Sequence, residues 1–238
     1  MKASFAVIGN NWGHKIYNII DDLSYSVVKI PLKSPKRYKN RIKYFEELKK
    51  QLSVVKSKYN TIWLAITPKK NDQFEIVKEC LNQKFNLIIE KPWNVNKKNT
   101  KILIDIQKKN NVLVGFNFEY LYLNFLVENK DYFKKDIKKI VLNFHIKNKQ
   151  LKNNHKLELG SHLVAIKKLY FSNVKNYKII TGFKKNLRKI YIEKSKKSIS
   201  HDFTLNKEKI IQKFINDYSK HLKLKKKFIY DFTFASMK

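Results

Sequence analysis

The chain has 238 residues, 43% of them hydrophobic, which allows one large domain or two small ones with a real core and excludes disorder by composition. The formal net charge of +33 is carried almost wholly by lysine, with three arginines (Arg37, Arg41 and Arg188), and Asn, Ile, Tyr and Phe are abundant while Gly and Pro are scarce. That skew fits lysine filling solvated positions in a compositionally biased genome better than a nucleic-acid surface, because no helix-turn-helix, zinc or aromatic–basic motif accompanies it. Cys80 is the sole cysteine, so no internal disulfide can form, and it falls on the apolar side of an expected helix. No apolar run reaches membrane-spanning length, and the stretch 5–9 is too short for a signal peptide, so the expectation is a cytoplasmic protein without a membrane partner.

In chain order, residues 5–9 (FAVIG) read as a buried strand. Gly9, Asn10, Asn11, Trp12 and Gly13 make a turn, and residues 14–23 are helical, with Ile16, Ile20 and Leu23 on one face. Strand, glycine turn and helix form the context of a dinucleotide fingerprint. Counted from Gly9, its second and third glycine positions hold Asn11 and His14. Residues 26–30 (SVVKI) are the second strand. The fingerprint expects an acid about 20 residues after the first glycine, on the adenosine ribose. The loop here carries Lys29, Lys33, Ser34 and Arg37 and no acid, which favours NADP over NAD.

Within 35–58, Ile42, Phe45, Leu48, Leu52 and Val55 follow helical spacing. Residues 61–66 (TIWLAI) are a strand ending at Thr67-Pro68, and the next helix should bury Phe74, Val77 and Leu81 and leave Lys78 solvated. In NLIIEKPW (86–93), an apolar strand stops at Pro92, which has no N–H for a ladder. Lys91 is thereby placed at the carboxyl edge of a parallel sheet, where open α/β folds bind ligands. Helix 96–110 and strand 111–116 follow. Strands alternating with helices imply right-handed βαβ units and a parallel sheet.

Past residue 118 the pattern changes. Ile140, Leu142, Phe144 and Ile146 alternate with Val141, Asn143, His145 and Lys147, as in a half-buried strand. Residues 157–171 are helical, 177–183, 188–193 and 198–205 are strands with Asn186 in a turn, 207–222 is helical, and the apolar last twelve residues pack back on a core. The expected fold class is α/β: a Rossmann-type parallel-sheet domain over 1–118, then a smaller α+β domain over 119–238 with an open, mostly antiparallel sheet. That open sheet needs cover on its second face, which leads to the expectation of a homodimer.

Taken together and in order, FAVIGNNWG, LAITP, IIEKPW, VGFNFEY and LELGSHLVAIKKLYF resemble the Gfo/Idh/MocA oxidoreductases, over roughly residues 4–171. The resemblance implies an NAD(P)-dependent oxidoreductase that moves hydride to or from a sugar-like or nucleotide-sugar alcohol or ketone. It implies catalytic roles for Lys91, His162 and Glu158, and nucleotide contacts from Gly9, Asn11, Trp12, Gly13, Thr67, Pro68, Glu90 and Lys91, with no metal. Glu158 stands where the family usually has an aspartate, four residues before the histidine, so the two share a helix face. The chain departs from the family at Glu119, where a basic residue is usual, at Ala165, where an acid is frequent, and in a second domain shorter than usual. Two other readings remain: a family member that has lost turnover and only binds a ligand or partner, and, from the charge, a nucleic-acid binder whose affinity falls steeply with salt.

Overall fold

A computed structural model of the chain describes residues 2–30, 32, 40–65, 70–134, 136–147, 155–195, 197–203, 208–228 and 230–236. The chain divides into two compact units, one of residues 1–117 with 212–238 and one of residues 118–211.

In the first unit, β1 (Ser4–Ile8), β2 (Ser26–Ile30), β3 (Thr61–Leu64), β4 (Asn86–Glu90) and β5 (Val114–Asn117) form one sheet in the order β2-β1-β3-β4-β5. All neighbours are parallel. Strands β3 and β5 are buried at every position, as a sheet covered on both faces requires. The order reverses between β1 and β3, so the crevice of this doubly wound sheet lies beyond their carboxyl ends. The connecting helices are α1 (Asn11–Asp22), α2 (Arg41–Val55), α3 (Lys70–Asn82) and α4 (Lys97–Asn110). Helix α4 is punctuated at both ends: the Asn96 side chain accepts from the Asn99 N–H at 2.8 Å, and Asn111 closes it with φ 50°.

Several faces are rotated from the spacing expected. Helix α2 buries Tyr44, Leu48, Leu52 and Val55, whereas Ile42 is 68% exposed. Helix α3 buries Ile76, Val77, Cys80 and Leu81, leaving Phe74 half-buried. Lys78, expected in solvent, is also half-buried, with its ammonium 5.6 Å from the Phe74 ring centre.

The expected boundary of 1–118 and 119–238 is corrected at the C-terminus, since residues 212–238 belong to the first unit. The reason is aromatic burial. From α7 (Glu208–Lys223), Phe214 meets Trp63 at 5.8 Å and Tyr218 meets Phe5 at 6.5 Å. Phe228 and Tyr218 fill the space over Gly115, where an added Cβ would lie 2.9 Å from the Phe228 ring. The Phe116 N–H then donates to the Tyr230 carbonyl at 2.7 Å, which covers the β5 edge, and α8 (Phe232–Ser236) follows.

The second unit holds a sheet in the order β7-β6-β8-β9, made of β6 (Ile137–His145), β7 (Tyr177–Gly182), β8 (Leu187–Lys194) and β9 (Ser198–Asp202). Strand β7 is parallel to β6 and the other pairs are antiparallel, so the sheet is mostly antiparallel as expected. Its inner face of Ile140, Leu142, Phe144, Ile190 and Ile192 is fully buried together with Leu163 and Ile166 of α6 (His155–Tyr170). The short helix α5 (Asn124–Glu128) precedes this sheet. Asn186 is the turn residue expected, its side chain accepting the Lys147 N–H at 2.8 Å. The opposite face places Val141 beside Lys178, Tyr191 and Ser200, and Asn143 beside Ile180, Lys189 and Asp202. A face so rich in polar side chains does not need cover, which removes the burial argument for a dimer.

Candidate functional site

The carboxyl edge of the first sheet is built around Glu90. As the last residue of an apolar strand it is 5% exposed, and such a carboxylate must be hydrogen-bonded to be tolerated. Its Oε1 accepts from Trp63 Nε1 at 3.0 Å and from Asn117 Nδ2 at 2.9 Å, so three adjacent strands converge on one atom. The Trp12 side chain adds a further hydrogen bond from the first turn of α1. Burial is the largest influence on Glu90 and pushes its carboxyl above the usual range; the hydrogen bonds and the adjacent Lys91 charge oppose it. Asn117 Oδ1 is buried and has no hydrogen-bond partner among the described residues.

Lys91 follows directly, half-buried, and its peptide to Pro92 is cis. The segment after it is held from two sides. Gln73 donates to the Pro92 carbonyl at 3.3 Å and accepts from the Asn94 N–H at 3.0 Å. Trp93 donates to Thr100 Oγ1 at 3.1 Å and packs on Phe116 and Phe232 at 5.2 Å each. Lys91 therefore projects from a fixed backbone at the sheet edge.

The turn between β1 and α1 is tight, despite the altered glycine spacing. Gly9 has φ +142°, and a Cβ there would lie 2.7 Å from the Ala65 carbonyl oxygen, so only glycine fits. Gly13 is buried against Ala65 and Val7. Helix α1 starts at Asn11 without a side-chain cap, so its first backbone N–H groups are not taken up by a capping side chain. Asn11 is exposed. Gly9, Asn11, Trp12, Gly13 and Glu90 thus collect at one edge. Thr67, Pro68 and the basic loop 33–37 lie outside the described residues.

The second unit holds a separate cluster. His162, in α6, is 2% exposed, and its Nε2 lies 3.5 Å from Oε1 of Glu119, which is 8% exposed. Glu119 opens a 3-10 turn, Glu119–Tyr122, tied to α6 by the Tyr170 hydroxyl donating to the Leu121 carbonyl at 2.6 Å. The Tyr120 ring stands edge-on to the imidazole at 4.6 Å, and Phe118 does so at 6.3 Å. Arg188 occupies an inner-face position of β8, in register with Phe144, where alternation would place an apolar residue. It is buried, donates from Nε to the Tyr120 hydroxyl at 2.5 Å, and lies over that ring at 5.5 Å. Burial raises the Tyr120 phenol, with Glu119 adding to the rise and Arg188 opposing it. Glu158 lies on α6 as expected, but its side chain is outside the described residues. Sequence reasoning missed Trp63, Asn117, Tyr120 and Arg188 and gave Glu119 no role. The available signals were a polar residue ending an apolar strand at Asn117 and an acid where a base is usual at Glu119.

Neither a protein-family model nor a curated protein matches this sequence. Solved structures do. UDP-N-acetylglucosamine 3-dehydrogenase GnnA from Acidithiobacillus ferrooxidans is similar at a TM-score of 0.76 and 10% identity, over 99% of this chain and 94% of that one. The chain shares the fold of that dehydrogenase. GenD2 from gentamicin A biosynthesis, solved in complex with NAD, aligns at a TM-score of 0.73 and 8% identity, over 99% of this chain and 90% of that one. KijD10, a 3-ketoreductase from Actinomadura kijaniata in complex with TDP-benzene and NADP, aligns at 0.70 and 9%, over 99% and 94%. At these identities the likeness is one of fold. Among the described residues, no helix is long and apolar enough to cross a membrane, and no group of three or more His, Cys, Asp or Glu is placed to hold a metal.

Proposed function

We propose that this chain is an NAD(P)-dependent oxidoreductase acting on the carbinol or carbonyl carbon of a sugar or nucleotide sugar. The observation that carries the reading is Lys91, fixed at the carboxyl edge of β4 beside the buried Glu90 and its Trp12, Trp63 and Asn117 donors. The neighbours named above support it, being dehydrogenases or a ketoreductase on the same fold. Gly9, Asn11, Trp12 and Gly13 would hold the dinucleotide by its pyrophosphate, with Thr67 and Pro68 on the same ligand. The bound nicotinamide supplies the hydride acceptor or donor. Lys91 orients the substrate hydroxyl and stabilises the alkoxide as it forms. His162 takes the hydroxyl proton, and Glu158 holds a neighbouring hydroxyl.

The deciding experiment pairs binding with turnover. Lys91→Met should leave NADPH affinity nearly intact, read by nicotinamide fluorescence, and slow turnover of a sugar nucleotide or polyol by about a hundredfold to ten-thousandfold. Near-full activity in that variant removes Lys91 from the chemistry. The reading includes NADPH binding about tenfold tighter than NADH, a difference of about 1.4 kcal/mol. Equal or tighter NADH binding sinks that preference.

One observation favours a second reading, a ligand-binding protein without turnover. His162 is almost fully buried and turns Nε2 to a carboxylate. Cofactor binding without conversion of any sugar nucleotide or polyol tried would support that reading.

A further inference from the structure

The buried pair in the second unit joins two residues that the resemblance treats separately. The resemblance places an acid, Glu158, one turn before His162 on the same helix, to orient it or to hold a neighbouring hydroxyl. The described geometry brings a different acid to the ring, since Glu119 Oε1 lies 3.5 Å from His162 Nε2 and both side chains are nearly excluded from water. The turn carrying Glu119 is tethered to α6 by Tyr170, which fixes the approach of the two groups. Tyr120 and Phe118 stand edge-on to the imidazole, at 4.6 and 6.3 Å. Among the described residues, Arg188 is also close to this cluster, its contact running through Tyr120.

We propose that Glu119, rather than Glu158, is the positioning residue for His162. Its carboxylate accepts the Nε2–H, which sets the neutral imidazole with the proton on Nε2 and makes Nδ1 the nitrogen that can accept a proton. When Nδ1 takes that proton, the imidazolium forms beside a carboxylate already in place. The role in turnover rests on the oxidoreductase reading above; the geometry of the pair does not.

Nitrogen NMR of histidine-labelled full-length protein tests the pairing without any substrate. The wild type should show the His162 Nε2–H tautomer. In Glu119→Gln its titration midpoint should fall by about one pH unit or more, the size of effect expected when an opposite charge within hydrogen-bonding range is removed. Glu158→Gln should leave tautomer and midpoint unchanged. If Glu119→Gln does not fold, Glu119→Asp, which withdraws the carboxylate by one methylene, should lower the midpoint partially and mix the tautomers. An unchanged midpoint in the folded Glu119 variant, or a shift that follows Glu158→Gln instead, overturns the proposal. Because the readout is the imidazole itself, it stands even if no cofactor binds and the oxidoreductase reading fails.

Discussion

Each unit buries a glutamate, Glu90 in the first and Glu119 in the second, and they satisfy it by opposite means. Glu90 is surrounded by neutral donors, Trp63, Asn117 and Trp12, with a lysine next in the chain. Glu119 faces a group that can itself become charged, His162. Neutral donors satisfy the lone pairs without cancelling the cost of holding a charge out of water, so burial still lifts the Glu90 carboxyl. An imidazole can cancel that cost by taking a proton. The first arrangement is a scaffold that holds the sheet edge under Lys91, and the second is a pair whose strength depends on pH.

The comparison can be broken most forcefully at Glu90. Glu90→Leu leaves Trp63 Nε1 and Asn117 Nδ2 buried without their acceptor, at about 1–3 kcal/mol for each donor. Relief of the buried charge offsets part of this, and a net loss of about 2–4 kcal/mol is expected, read as a lower thermal midpoint by roughly 2–4 °C per kcal/mol for a chain of this size. A loss below about 1 kcal/mol would show that the donors are not scaffolding the edge.

Glu90→Gln keeps the Oε1 acceptor and removes the charge. The folded Glu90 pKa lies above its ordinary 4.5, so the native state retains a proton that the unfolded chain has released. Its contribution is intact below that value and declines as pH rises through the raised folded value. The fall in urea midpoint from acid to alkaline pH should therefore be smaller in Glu90→Gln than in the wild type, and an unchanged profile would contradict the assignment.

Glu119→Gln should show the opposite sign. At pH 8 it removes one interaction with a neutral imidazole, about 1 kcal/mol, and its cost should grow as the pH is lowered and the imidazole charges. A cost that shrinks on acidification would make the two carboxylates alike. The smallest effect belongs to Lys78→Met on α3. It removes a partly exposed cation 5.6 Å from the Phe74 ring, so a change within about 0.5–1 kcal/mol and unaltered cofactor binding are expected from urea and fluorescence titrations.

Much of the fold was legible because it depends on local patterns. Buried strands are short apolar runs closed by Gly, Pro or Asn, and β2, from Ser26 to Ile30, matches its expected bounds. The alternation at Ile140, Leu142 and Phe144 identified the inner face of the second sheet. Gly9 and Lys91 could be placed at a sheet edge from their positions at strand ends. The faces of α2 and α3 were less legible, since several apolar residues fit more than one stripe and packing partners choose between them.

What the sequence determined by itself is the order of strands and helices, the parallel sheet, and Lys91 at its carboxyl edge, because chain stereochemistry and periodicity act over a few residues. Only the tertiary structure decided that residues 212–238 return to the first unit, since their aromatic face finds its partners in Phe5, Trp63 and Gly115, about one hundred to two hundred residues away in the chain. It alone joined Trp63, Glu90 and Asn117 on one oxygen, and Glu119 to His162. A buried charge has no periodic signature, because its partners are chosen by distance in space and by the cost of leaving it without them.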